Sequence, residues 1–213
     1  MAKKERKSIL VNENDYLKVE ADENWLHDTV GKGFYDLDFF RIIDFFVLHS
    51  PCKESSYSPK TLESLGWKNP WHSRRFRDTF DGIPGFADGK SFFFHENKNH
   101  FLKMWNTYGI ALFPGDEERE YAVLTYAGES NPRMDLLHHI RNAFAHGRFA
   151  VKKTHGEYYI YLEDVGTIRQ LSGIFVMARI CLKKATLIRW IDLFERKSEN
   201  AKRLYSLYSV SED

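Results

Sequence analysis

Cysteine is scarce in this chain: 213 residues contain two, Cys52 and Cys181, far apart and outside any CxxC spacing. Neither a disulfide framework nor a cysteine-built zinc site is expected, and a reducing cytoplasmic setting is the default. No apolar run approaches the ~18 residues that a membrane-crossing helix needs, so no membrane partner is expected. The opening MAKKERKSILVNEND is basic but carries neither an apolar core nor a small-residue cleavage site, and it is not read as a secretory signal. An excess of one charge is also missing. The 31 Lys and Arg stand against 30 Asp and Glu, a net charge of +1, so any contact with nucleic acid must come from a local patch. Internal repeats and low-complexity tracts are absent.

Large rings are plentiful: 17 Phe, 11 Tyr and 5 Trp, which at this length supply a sizeable core. Residues 1–35 read as a polar N-terminal arm. From Asp36 to His49 the run DLDFFRIIDFFVLH has acidic residues in its first turn and apolars on most sides, which predicts a mostly buried helix ended by Ser50-Pro51. SYSPKTLESLGW predicts a short helix with Ser58 as N-cap and Pro59 at its first position. NPWHSRRFRDTF predicts another behind Asn69-Pro70, and SFFFH predicts a strand. That order is the order of a winged helix-turn-helix, with Arg74, Arg75 and Arg77 where a recognition helix would lie. Residues 36–97 therefore read as one helix plus a winged-helix-like insertion, and a DNA-binding regulator is one reading of the chain.

KNHFLKMWNTYGIALF predicts a helix. DEEREYAVLTYAG is read as a helix too, although Tyr-Ala-Val-Leu-Thr-Tyr fits a strand equally well. RFAVKKTHGEYYIYLED predicts two strands around His155-Gly156, a hairpin over 149–163. From Thr167 to Arg196 apolars at Ile174, Met177, Ala178, Cys181, Ala185, Ile188 and Ile191 recur at helical spacing and predict one long amphipathic helix, bent near Gly173.

The chemistry is concentrated in IRNAFAHGRF, residues 140–149. On a helix Asn142 and His146 are one turn apart, His139 joins their stripe, Arg141 reaches toward it, and Leu137, Ile140 and Phe144 point into the core. An imidazole moves protons at neutral pH, a guanidinium grips phosphate oxygens, and a carboxamide positions either one. This set suits a phosphodiester and needs neither metal nor cofactor. Taken alone, the same residues are equally a helix end, with His146 and Arg148 satisfying carbonyls ahead of Gly147. His138, beside the motif, and His27, His49, His72, His95, His100 and His155 share no spacing and read as structural.

Arg141-Asn142-Ala143-Phe144-Ala145-His146-Gly147 resembles the RNxxxH signature of HEPN domains (higher eukaryotes and prokaryotes nucleotide-binding). The leading LLHHI, the trailing GRF, the tyrosine-rich hairpin ending in Glu163-Asp164 and the closing TLIRWIDLF resemble plasmid- and defence-encoded members over roughly residues 98–196. The resemblance implies a mainly α fold: an antiparallel helical bundle at 98–213, with the hairpin after the motif helix. It implies a metal-independent endoribonuclease with Arg141 and His146 catalytic, and Asn142 and His139 binding substrate or supporting the site. A homodimer pairing two motifs is implied, as is a role as a toxin or phage-defence effector, with an antitoxin or nucleotidyltransferase as partner. Some members only bind RNA or nucleotide, so a non-catalytic module is the alternative.

Overall fold

The computed structural model describes residues 17–19, 34–52, 61–96, 119–125, 131–169 and 171–196. Of the helix expected from Ser58 to Gly66, residues 58–60 lie outside them and 61–66 form a turn instead, with Leu65 N–H donating to Thr61 O and Trp67 N–H to Leu62 O. The helix expected over 98–109 and most of the N-terminal arm also lie outside them. Helix α1 (Leu37–Ile43) starts at Asp36, whose side chain accepts from the Phe39 N–H, and continues as a π-helical turn over Asp44–Leu48. Pro70–His72 forms a 3-10 turn. Helix α2 (Arg74–Gly82) follows, capped by the Ser73 side chain. Then come strands β1 (Phe92–Glu96) and β2 (Tyr121–Thr125), helix α3 (Pro132–Ala145), strands β3 (Phe149–Thr154), β4 (Glu157–Gly166) and β5 (Phe175–Lys183), and helix α4 (Lys184–Glu195).

The five strands make one mixed sheet in the order β1-β2-β5-β4-β3, parallel between β1 and β2 and antiparallel elsewhere. This α/β fold overturns the expected mainly α bundle. The error lies in two segments. Phe175–Lys183, read as the first half of a long helix, is a central strand buried almost throughout, and only Lys184–Glu195 is helical. A strand flanked on both edges and covered on both faces loses polar/apolar alternation, so its apolar run fits a buried helix as well as a strand. Tyr121–Thr125 is likewise a strand buried at every residue. The hairpin expected over 149–163 is present, with its second strand running on to Gly166. His155 and Gly156, both at positive φ (49° and 84°), make the two-residue turn that matches strand twist.

The winged-helix-like insertion also fails. Its expected wing strand, β1, is instead hydrogen-bonded along β2 at the edge of the main sheet. On α2, Phe76 and Phe80 are buried in the same core as α4: Phe80 stacks on Trp190 at 4.3 Å, and Phe76 and Phe80 both meet Phe194. Of the three arginines on α2, Arg77 donates to the Trp71 carbonyl, while Arg74 and Arg75 are exposed.

The four helices among the described residues share one core with one face of the sheet, through Leu124, Ile160, Leu162, Ala178 and Ile180. The other face gathers Tyr121, Val123, Tyr159, Tyr161 and Cys181, with Leu17 and Val19 packed on it and Lys18 bridging to Phe175. Cys52 and Cys181 are both free and buried.

Candidate functional site

The motif helix is fixed by local signals at both ends. Asn131 caps the start by accepting from the Arg133 N–H, and Pro132 occupies the first helical position. At the other end the chain makes a backbone cap: His146 N–H to Asn142 O (2.9 Å), Gly147 N–H to Phe144 O (3.1 Å) and Arg148 N–H to Ala143 O (2.8 Å). Gly147 supplies the left-handed conformation (φ 67°) that this cap requires. A Cβ there meets nothing within 4 Å, so only the backbone conformation opposes a side chain. Gly147→Ala is therefore expected to lower stability by about 1–2 kcal/mol in urea unfolding, and Gly147→Asn by less.

One row of the sheet sets the site. His95 pairs with Leu124, Leu124 with Ala178, and Ala178 with Asp164. α3 runs along that row from β1 to β4. At its first turn Asp135, fully buried, meets His95 Nε2 at 2.6 Å. One turn on, His139 is held between β2 and β4. Its Nδ1 lies 2.7 Å from Asp164 Oδ2 and its Nε2 lies 3.0 Å from the Thr125 carbonyl. Both partners accept, so the two bonds are donated together only by a ring carrying a proton on each nitrogen. The same Asp164 oxygen accepts from Asn142 Nδ2 (3.2 Å), and Asn142 Oδ1 accepts from Arg141 Nη1 (3.0 Å).

Of the residues singled out from sequence, Arg141, Asn142 and His139 are thus joined through Asp164, and His146 stands apart. The imidazole of His146 is exposed and makes no hydrogen bond or ion pair among the described residues, because the backbone has already capped the helix. His139 is only 2% exposed and bonded at both nitrogens, which places it behind the site and not at a substrate surface. Arg141 is half-buried, and its Nε is shielded with no acceptor among the described residues. A shielded N–H left open costs about 1–3 kcal/mol.

Two further residues hold the chain beyond Gly147. Glu163, beside Asp164 on β4 and so on the opposite face of the sheet, accepts from Arg148 Nη2 and from Arg179 Nε (2.8 Å) and is 2% exposed. Sequence reasoning missed Asp164, Glu163, Arg179 and the His95–Asp135 pair as site-building residues. The only hint was the Glu163-Asp164 doublet at the end of an otherwise apolar strand. Among the described residues no three His, Cys, Asp or Glu side chains converge as a metal site.

His138 is half-buried on α3, and burial pushes its imidazole below the ordinary value of 6.5. His139 and Arg141 act the same way, and Asp164 and Asp135 oppose them. The unfolded chain thus takes up this proton first as pH falls. The neutral ring's contribution is complete above pH 6.5 and is lost as pH drops toward the lower folded value. His138→Gln should flatten the fall in melting temperature between about pH 7 and 5. An unchanged slope would show that other groups set it.

No family model, no curated protein and no solved structure matches the chain. The fold and site therefore define it by themselves. It is an α/β protein in which one helix carries a guanidinium, linked through Asn142 to a buried carboxylate of the sheet, and ends at an exposed imidazole. No helix among the described residues is long and apolar enough to cross a membrane.

Proposed function

We propose that this protein is a metal-independent endoribonuclease acting in the cytoplasm. The observation that carries the reading is the exposed, unbonded His146 imidazole on a helix end whose cap the backbone has already completed, five residues from a guanidinium braced by Asn142. A histidine serving only as a cap would spend its side chain on the helix carbonyls. His146 moves the proton and Arg141 holds the phosphate while charge builds on its oxygens. The 2′-hydroxyl loses its proton and attacks the adjacent phosphorus, the P–O5′ bond breaks, and the leaving 5′-oxygen takes up a proton. The products are a 2′,3′-cyclic phosphate and a 5′-hydroxyl. DNA lacks the attacking group.

The RNxxxH resemblance agrees with this chemistry. The sheet departs from the helical bundle which that resemblance implies, so the reading rests on the residues and not on the fold. Two proton transfers are best served by two imidazoles, and a two-fold homodimer would bring a second His146 to the cleft. RNA is the substrate class, and a toxin or defence effector is the role such cleavage suits.

Incubation of purified protein with total RNA in EDTA tests the proposal. Cleavage that leaves 2′,3′-cyclic ends and spares DNA of the same sequence is the expected result, with sedimentation showing a dimer. Absence of cleavage, or cleavage only with added metal, would remove the ribonuclease reading and leave a module that binds RNA or nucleotide.

A further inference from the structure

We infer that Asp164 is a positioning residue for Arg141: it dictates which way round the Asn142 carboxamide sits, and so aims the guanidinium. What the guanidinium grips rests on the ribonuclease reading; the geometry does not. A carboxamide is nearly symmetric in shape, so packing alone does not choose between its two orientations. In one, Oδ1 faces Arg141 and accepts from Nη1. In the other, an NH₂ faces a group that has only donors. Asp164 Oδ2, 3.2 Å from Nδ2, offers no proton and admits only the first orientation. Asp164 is itself fixed, being 5% exposed on β4 and bonded to His139, which the Thr125 carbonyl holds from β2. The chain of bonds therefore runs from two strands of the sheet to one nitrogen of Arg141. Nε is shielded and has no acceptor among the described residues, so the N–H groups of the two Nη nitrogens that Asn142 does not hold are the ones left for an anion.

Exchanging the two side chains tests this without changing their size. In Asp164→Asn the new amide offers both a donor and an acceptor and no longer selects the Asn142 orientation. In Asn142→Asp two carboxylates face each other. With both changes, a carboxylate at 142 accepts from Arg141 whichever way round it lies, and the amide at 164 donates to it and accepts from His139. Each single variant is expected to lose about ten- to a hundredfold in cleavage rate, as for a hydrogen bond to a charged group. The double variant is expected to recover most of that loss.

The Arg141 Nε–H resonance, titrated with inorganic phosphate, gives a second readout independent of cleavage. Weaker phosphate response in each single variant and recovery in the double support positioning, even where the wild type cuts no RNA and the ribonuclease reading falls. A double variant no better than its worse parent, or an Asp164→Asn variant titrating like wild type, would overturn it.

Discussion

His146→Ala and Arg141→Ala are each expected to lose RNA cleavage by a factor of about 10² to 10⁴, the usual consequence of removing one acid-base or charge-stabilising group. Folding should survive both changes. The His146 side chain is exposed and bonds to nothing among the described residues, and the helix end keeps all three backbone bonds without it. Even a histidine that does interact with a helix terminus contributes at most ~2 kcal/mol. Among the described residues Arg141 makes one hydrogen bond, to Asn142, and its loss should cost about 0.5–1.5 kcal/mol. Arg141→Lys should remain poor, because an ammonium lacks the planar fork that meets two phosphate oxygens. The measurements are cleavage of a labelled RNA beside a thermal melt of each variant. Wild-type rates in either alanine variant would remove that residue from the chemistry.

Glu163→Ala is expected to be the most destabilising change near the site, by about 3–5 kcal/mol. It removes the carboxylate that two shielded guanidiniums, Arg148 and Arg179, share inside the protein. Discarding one partner of a buried ionic group costs more than its net contribution suggests, since the opposite charges stay shielded inside the protein. The expected consequence reaches the site. Arg148 directly follows Gly147, and its carbonyl accepts from the Glu163 N–H at 3.0 Å, so this pair fixes the chain as it leaves α3 and with it the place of His146. Glu163→Gln, which keeps an acceptor and the volume, should fall between wild type and alanine. Urea unfolding reads all three. A loss under ~1 kcal/mol for Glu163→Ala would mean that the arginines find other partners at little cost.

Where a few neighbouring residues decide the outcome, this sequence was explicit. Asn131-Pro132 and Gly147 bound the motif helix because a cap, a ring-fixed φ and a left-handed residue act within one turn of themselves. His155-Gly156 specified a hairpin for the same reason, and Leu137, Ile140 and Phe144 faced inward as their spacing required. The sheet was settled elsewhere. Val123 and Arg179 lie opposite each other across β2 and β5, and Glu163 lies opposite Arg179 across β4. Those pairings, from segments far apart in the chain, turned Tyr121–Thr125 and Phe175–Lys183 into strands where periodicity allowed helices. They also brought Asp164 beneath Asn142 and His139, although nothing in the run from 139 to 146 names a carboxylate eighteen residues past its end. Spacing along one helix reveals which side chains share a face. Which of them is sealed, as His139 is, and which is left open to solvent, as His146 is, depends on what long-range pairing lays against that face.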